Sequence, residues 1–284
     1  MPGTSDHVFI SFSQHDFAIA EKLVCALKSA DLPVWIASEN LIPGTQDWEL
    51  AIRDAIDHSF SVVFLASPDS RISQYARGEL TLSKSKGKII IPVWISGLVW
   101  SDCVPLESVF TQFIDLRENA PSEEFDKLVE RLKDLHAQQW FERAIATKDV
   151  YEKVSFFTKV IRIRPNDPVA YYNRGLALDR TGDLQAMLED FTAAIRLQPN
   201  YADAFDQRGN VYADLYWIFR READLERAFE DYTAAIDLDP SHAKAFHNRA
   251  VVREILNDLE GALKDYGAAI RIDPCFGSAF YNRS

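Results

Sequence analysis

Val8-Phe9-Ile10-Ser11-Phe12 is an uncharged run of mainly β-branched and aromatic residues. A short apolar stretch of this kind reads as a strand covered on both faces, as strands of parallel sheets are. Working outward, a helix from about Asp16 to Ala30 follows, then a strand at Pro33–Ile36, a loop holding Pro43-Gly44 and a helix from Asp47 to Asp57. Next come a strand at Phe60–Ala66, a helix from about Arg71 to Lys86, a strand at Ile89–Trp94 and a last strand at Phe113–Leu116. Ser122 opens a closing helix that runs to Leu135, with Glu123 and Glu124 in its first turn, where the helix dipole favours acids. Strands that alternate with helices over His7 to Leu135 predict βαβ units around a parallel sheet, and hence an α/β domain.

Beyond about residue 136 the strand signals stop and a longer period begins. Pro165, Pro199, Pro240 and Pro274 stand 34, 41 and 34 residues apart. Asn173-Arg174-Gly175, Gln207-Arg208-Gly209, Asn248-Arg249-Ala250 and Asn282-Arg283-Ser284 keep those spacings, as do Phe191, Tyr232 and Tyr266 and the small residues Ala194, Ala235 and Ala269. The 41-residue spacing holds an insertion of seven residues. Arg208 to Asp224 spans 16 residues where Arg174 to Asp183 and Arg249 to Asp258 span 9, so the insertion falls between the two helices of one repeat. Seven residues are close to two helical turns, which predicts that Asp214-Leu215-Tyr216-Trp217-Ile218-Phe219 extends the first of those helices. This apolar protrusion is either a cap over neighbouring helices or a contact surface.

The chain has 284 residues, more than one domain ordinarily holds, and its 47% apolar and 26% charged residues are those of a globular protein. The net charge is −12, divided as −8 up to residue 136 and −4 after it, so neither part offers the basic field that nucleic acid needs. Cys25, Cys103 and Cys275 are odd in number and far apart, which argues against disulfides and zinc and for a reducing compartment. Met1 to His7 lacks an apolar signal core and no run reaches the length of a membrane span, so a cytoplasmic protein with no membrane partner is expected. The six histidines show no metal-ligand spacing, and neither a Walker loop nor a GxGxxG is present.

The 34-residue helix-turn-helix unit, with its aromatic, small and proline positions, resembles the tetratricopeptide repeat (TPR) from about Asp134 to the end. The first unit is degenerate, because Ala137 and Phe141 stand at its Trp and Gly positions, yet Phe157, Val160 and Pro165 are in register. The earlier part, over about residues 6 to 136, resembles a Toll/interleukin-1 receptor (TIR) domain of flavodoxin-like fold. His7-Val8-Phe9-Ile10-Ser11-Phe12-Ser13 is similar to that family's first box, and Asn40-Leu41-Ile42-Pro43-Gly44 to its mobile loop. Ser73-Gln74-Tyr75-Ala76-Arg77-Gly78-Glu79-Leu80 is similar to the helix that carries its acidic residue, and Ile89-Ile90-Ile91-Pro92-Val93 follows in the expected order. The expected division is therefore 1–136 as TIR domain and 137–284 as an all-α TPR solenoid, with repeats at about 134–167, 168–201, 202–242 and 243–276 and another beginning at 277. Together these resemble prokaryotic TIR-TPR proteins.

TIR domains divide into members that cleave nicotinamide from NAD+ and adaptors that only assemble. On a helical wheel with Ile72 at zero, Ala76 falls near 40°, Leu80 near 80°, Tyr75 near −60° and Glu79 near −20°, at about 100° per residue. An acid on the apolar face is unusual. Three readings stay open from the residues: an ion pair with Arg71 or Lys86, a border with solvent, or a functional carboxylate. The family resemblance implies that Glu79 is catalytic, with Phe12, Ser13, Trp35, Pro43, Gly44 and Tyr75 binding the substrate. Asp16 reads either as a polar residue of the pocket or, preferably, as the N-cap of the helix after it, and Trp48 either covers the loop or staples its helix.

The resemblance thus implies an NAD+ nucleosidase (NAD+ glycohydrolase) that yields ADP-ribose or a cyclic form, is activated by self-association and acts in prokaryotic defence or stress. NAD+ is the substrate, no separate cofactor and no metal are expected, and the alternative is a non-enzymatic TIR adaptor. Other TIR domains and a protein or peptide ligand are the expected partners. The ligand would lie on the concave TPR face, at Tyr172, Asn173, Asp206, Gln207, His247 and Asn248, and Asn173 and Asn248 are expected to be replaceable there without loss of the fold. Stacked repeats need polar end caps, so the natural chain is expected to continue past Ser284 or to be covered there.

Overall fold

The computed structural model describes residues 6–36, 46–105, 112–119, 121, 123–275, 279 and 282. Two compact units divide at Gln139/Trp140. In the first unit, strand β1 (His7–Ser11) leads through a 3-10 turn (Gln14–Asp16) into helix α1 (Phe17–Ser29) and strand β2 (Val34–Trp35). Helix α2 (Gln46–Asp57) and strand β3 (Ser59–Ala66) come next. Helices α3 (Pro68–Ile72) and α4 (Gln74–Ser85) precede strands β4 (Ile90–Trp94) and β5 (Ile114–Asp115), with a 3-10 turn at Trp100–Asp102. Helix α5 (Glu123–Ala146) gives its residues up to Gln139 to this unit and the rest to the second.

All strand pairs are parallel, in the order β2-β1-β3-β4-β5. The chain steps from β1 to β2 on one side and returns to β3 on the other, which makes the carboxyl ends of β1 and β3 the switch point where open α/β sheets bind ligands. Strand alternation sends Val8 and Ile10 into a core with α1 and α5, through Leu23, Leu27, Leu128 and Leu132. Phe9 faces the other way, against Trp48, Ile52 and Ile56 of α2, and Ser11 shares that face.

One expected helix is two. Ser73 is extended (φ −62°, ψ 120°) and breaks the segment between Ile72 and Gln74, capping α4 through its side chain, which accepts from Ala76 N. Ile72 therefore lies outside α4 and is 73% exposed, so it was a poor origin for the wheel. The helix is oriented by Ala76 and Leu80, both buried, and Glu79 goes inward with them.

The second unit is helical: α6 (Val150–Ile163), α7 (Pro168–Leu178), α8 (Leu184–Leu197), α9 (Ala202–Phe219), α10 (Glu222–Leu238), α11 (Ala243–Ile255) and α12 (Leu259–Ile272). The small residues of the repeat have a steric cause. A Cβ on Gly175 would meet the Phe191 ring at 2.8 Å, and one on Gly209 would meet Tyr232 at 2.7 Å. In the degenerate first repeat Phe141 stands at that position, and its ring meets Phe157 edge-on with centroids 5.4 Å apart.

Behind the glycines runs a periodic ion-pair ladder. Arg174 grips Asp190, Arg208 grips Asp231 and Arg249 grips Asp265 through paired N–H donors at 2.6 to 2.9 Å. Each arginine also donates to a threonine of the preceding repeat, Thr158, Thr192 and Thr233 in turn. One repeat before Arg174 and Asp190 stand Trp140 and Phe156, stacked at 5.3 Å, with Lys159 Nζ 3.4 Å from the Trp140 ring centre. The degenerate repeat thus replaces an ion pair by an aromatic pair in the same place.

Asp214–Phe219 extends α9, as expected, and α10 is lengthened beside it. Compared with α11 and α12, at 13 and 14 residues, α9 has 18 and α10 has 17, and the connector between them is shorter. Arg220, in the left-handed region at φ 57°, ends α9. Leu215 and Tyr216 pack onto neighbouring clusters, whereas Trp217, Ile218 and Phe219 stay exposed.

Candidate functional site

Glu79 and Ser11 lie 68 residues apart in sequence and meet where α4 crosses the end of β1. Ser11 Oγ donates to Glu79 Oε2 at 2.7 Å, with the serine fully buried and the glutamate 7% exposed. Neither expected ion-pair partner is there. Arg71 reaches Asp102 at 3.2 Å and Lys86 reaches Asp57 at 2.8 Å. Burial without a countercharge favours the neutral acid, and the Ser11 hydroxyl only partly offsets it, so the Glu79 carboxyl is pushed up to about 8.

A second buried acid bridges the loops that leave β1 and β3. Ser67 Oγ donates to Asp16 Oδ2 at 2.6 Å. Ser67 also caps α3, exchanging hydrogen bonds with Ser70 in a capping box with Pro68 at the first helical position. Asp16 occupies the N-cap position of α1 but makes no side-chain capping bond, which corrects the expectation that it caps that helix. Its carboxyl is raised by burial, against the pull of Ser67.

The other residues expected at the site are distributed around these two. Ser13 is buried, and its hydroxyl accepts from His15 N at the start of the 3-10 turn. Phe12 packs with Phe17 and the α1 side of the core, so its ring lies with the cluster opposite Ser11. Trp35 stacks on Phe9, centroids 5.1 Å apart and 13° from parallel. Tyr75, half exposed, meets Trp48 edge-on at 4.9 Å, and Trp48 is buried in the α2 cluster. Pro43 and Gly44 lie outside the described residues. Ser11 and Ser67 were not singled out by sequence reasoning. The available signal for Ser11 was a polar residue on the Phe9 face of a strand otherwise apolar.

Among the described residues no group of three or more metal-ligating side chains is present, and no helix is long and apolar enough to cross a membrane.

The profile of the TIR domain matches residues 8–132, and that of the tetratricopeptide repeat matches residues 156–189. Residues 8–132 are a TIR domain, and a TPR region follows it. Among solved structures, YrrB, described as a TPR protein with an unusual peptide-binding site, is 23% identical over 56% of this chain and 77% of its own, with a TM-score of 0.43. MamA (41-end) from Desulfovibrio magneticus RS-1 is 21% identical over 54% of this chain and 81% of its own, with a TM-score of 0.44. The second TPR domain of human RPAP3, in complex with an HSP70 peptide, is 25% identical over 41% of this chain and 95% of its own, with a TM-score of 0.37. No curated protein matches the chain.

On the TPR side, the expected ligand face is partly committed to packing. Asn248 Nδ2 donates to Asp206 Oδ1 and Asn210 Oδ1, both at 3.0 Å, and Tyr232 donates to Asn210. Asn248 therefore joins α11 to α9, and its replacement would disturb the repeat packing as well as any ligand, contrary to the expectation that it is dispensable to the fold. Asn173 donates to Val169 O within its own helix. Tyr172 packs on Phe191 and Tyr201, and burial raises its phenol. Gln207 reaches the buried Asp206, whose carboxyl burial raises, and His247 lies 5.5 Å from Tyr266.

Proposed function

We propose that the TIR domain is an NAD+ nucleosidase in which Glu79 is the catalytic carboxylate. The observation that carries this reading is a buried glutamate with no cationic partner among the described residues, held by one serine hydroxyl beside the switch point of the sheet. Nicotinamide in NAD+ is already a cationic pyridinium. Its bond to the ribose breaks with the electron pair passing to the ring nitrogen, so it leaves neutral and needs no general acid of the kind ordinary glycosides require. Positive charge is then left on the ribose, where an ionised carboxylate out of water stabilises it strongly. Water adds at the same carbon and releases a proton, giving ADP-ribose; attack by the adenine ring instead gives the cyclic form. Tyr75 and Trp35 supply flat surfaces for the rings, and Ser13 and the Pro43-Gly44 loop complete the substrate's surroundings; the Phe12 ring, packed in the core on the other face of the sheet, does not take part.

Activity requires the ionised form of Glu79. With its carboxyl at about 8 in the free protein, kcat/KM rises with pH up to about 8 and levels above it. TIR domains self-associate in general, and here assembly brings the pocket to its working form, so specific activity rises with protein concentration. The TPR region recognises a protein or peptide, or another copy of the chain, that triggers assembly, in a defence or stress response that depletes NAD+.

One feature favours the alternative, a TIR adaptor without catalysis: burial raises the Glu79 carboxyl and favours its neutral form, for which the Ser11 hydroxyl is partner enough. The deciding experiment incubates the purified chain with NAD+ at pH 8 over a wide range of protein concentrations and identifies the products. Release of nicotinamide that grows faster than protein concentration supports the enzyme; intact NAD+ at every concentration, with assembly demonstrated, supports the adaptor.

A further inference from the structure

The buried acids of the helical unit are not all alike. Asp190, Asp231 and Asp265 each face an arginine fork. Asp206, 1% exposed, accepts from two neutral amides, Asn248 Nδ2 at 3.0 Å and Gln207 Nε2 at 3.3 Å. His242 and Lys244, at the start of α11, lower its carboxyl from a distance, against the larger upward effect of burial. His242 Nε2 lies instead 3.2 Å from the exposed Asp203. A buried acid is costly unless a countercharge meets it, so the uncompensated charge of Asp206 calls for a reason.

The repeat period shows what surrounds it. Two residues before the ladder arginines stand Tyr172, Asp206 and His247, and five before them stand Val169, Asp203 and Lys244. Residues three apart share a helix face, so these positions form one row on each of α7, α9 and α11. On α7 the row is apolar and open: Val169 is 40% exposed, and Leu176, one turn beyond Tyr172, is 38% exposed. On α9 it is acidic. The two rows adjoin, because Asp203 and Asp206 add to the effect of burial in raising the Tyr172 phenol. Asp203 and Asp167 do the same to Tyr201, whose ring lies 4.9 Å from that of Tyr172. Two half-buried tyrosine rings are thus walled by three aspartates and continue into an open apolar strip.

We propose that this surface docks a partner peptide that presents an arginine beside an apolar side chain, the guanidinium against the tyrosine rings and Asp203, the apolar group on Val169 and Leu176. The proposal rests on the reading that the TPR region recognises a peptide, and it names that peptide's chemistry. A guanidinium can stack on a ring face and fork onto a carboxylate at once. Asp203 meets it directly. Asp206, closed off by Asn248 and Gln207, adds its charge from beneath.

The test is fluorescence anisotropy of the full chain, at 0.15 M salt, with labelled peptides of three repeated units: Leu-Arg-Gly, Leu-Glu-Gly or Ser-Arg-Gly. Saturable binding is expected for Leu-Arg-Gly, about tenfold weaker for Ser-Arg-Gly and none for Leu-Glu-Gly. Asp203→Asn/Asp206→Asn is expected to weaken Leu-Arg-Gly binding about tenfold or more, while melting at or above the parent because a buried charge is removed. Tyr201→Leu, which keeps an apolar contact with Tyr172, is expected to weaken binding too and decides the matter if the double variant does not fold. Glu189→Gln/Glu230→Gln removes the same two charges from the second helices and is expected to bind as the parent does. Binding retained in the groove variants overturns the proposal. So does an equal loss in Glu189→Gln/Glu230→Gln, because overall charge is then the cause. Leu-Glu-Gly bound in place of Leu-Arg-Gly overturns it and leaves peptide recognition standing; no saturable binding of any of the three overturns both.

Discussion

The arginine ladder of the TPR region and the buried glutamate of the TIR domain treat a buried acid in opposite ways. In the TPR region, Asp190, Asp231 and Asp265 are each held by an arginine fork, and a threonine of the preceding repeat braces the fork. In the TIR domain, Glu79 is as deeply buried and has one neutral hydroxyl. A carboxylate neutralised by a guanidinium has spent its charge on register between helices. One left with a hydroxyl keeps its charge available, at the cost of being hard to ionise. Burial pushes up the Asp190 and Asp231 carboxyls too, but there the arginine opposes it. The degenerate repeat sharpens the point, since Trp140 on Phe156 fills the place of the ion pair. The pair's task is packing and register, which an aromatic stack also performs.

The largest effect on stability is expected from breaking the ladder. Arg208→Ala leaves Asp231 buried without its countercharge and should cost the repeat region about 3 kcal/mol or more. Hydrogen exchange of α9 and α10 checks this, and an unchanged exchange pattern would remove the contrast. Converting both partners, Arg208→Trp with Asp231→Phe, should recover most of the loss, as the first repeat does naturally. Next in size is a packing change: Gly209→Ala drives a methyl into the Tyr232 ring and should cost about 1 to 3 kcal/mol. The same change at Gly78, where a Cβ would meet nothing within 4 Å, should cost nothing.

Glu79 carries a pH signature with a definite sign. Its carboxyl is raised from 4.5 to about 8 on folding. Between those values the folded chain keeps a proton that the unfolded chain has lost, so the contribution is full below 4.5, declines as pH rises and is gone above about 8. The slope is about 1.4 kcal/mol per pH unit at most. Glu79→Gln should match the parent's stability near pH 5 and exceed it at pH 8, followed by denaturant unfolding at both values. Ser11→Ala is the smallest change, about 1 kcal/mol in stability. It should move the activity profile to higher pH, because the hydroxyl is what lowers the Glu79 carboxyl.

Much of this was legible in the sequence. Apolar runs such as Val8–Phe12 marked the sheet, and the repeat period marked the solenoid, because each reports one element burying one face. The inward direction of Glu79 was legible from Ala76 and Leu80, although Ile72 was a misleading origin once Ser73 broke the helix. What could not be read was partnership across long separations. Ser11 with Glu79 and Ser67 with Asp16 are joined by the parallel order of the strands, and no local period encodes it. The repeated arginines Arg174, Arg208 and Arg249 were visible, and so was an aspartate directly before each periodic aromatic, at Asp190, Asp231 and Asp265, but that the two series pair was not read from their period.

The central claim is that Glu79 is kept unpaired for its charge. Its most direct test is NAD+ turnover by Glu79→Gln beside the parent chain at pH 8, at a concentration where the parent is assembled, with melting followed on the same samples. The substitution keeps size and hydrogen bonding and removes only the charge. The account predicts turnover reduced about a hundredfold to a thousandfold, with a melting temperature equal to or above the parent's. Turnover retained in Glu79→Gln, or a melting temperature that falls with it, would contradict the account.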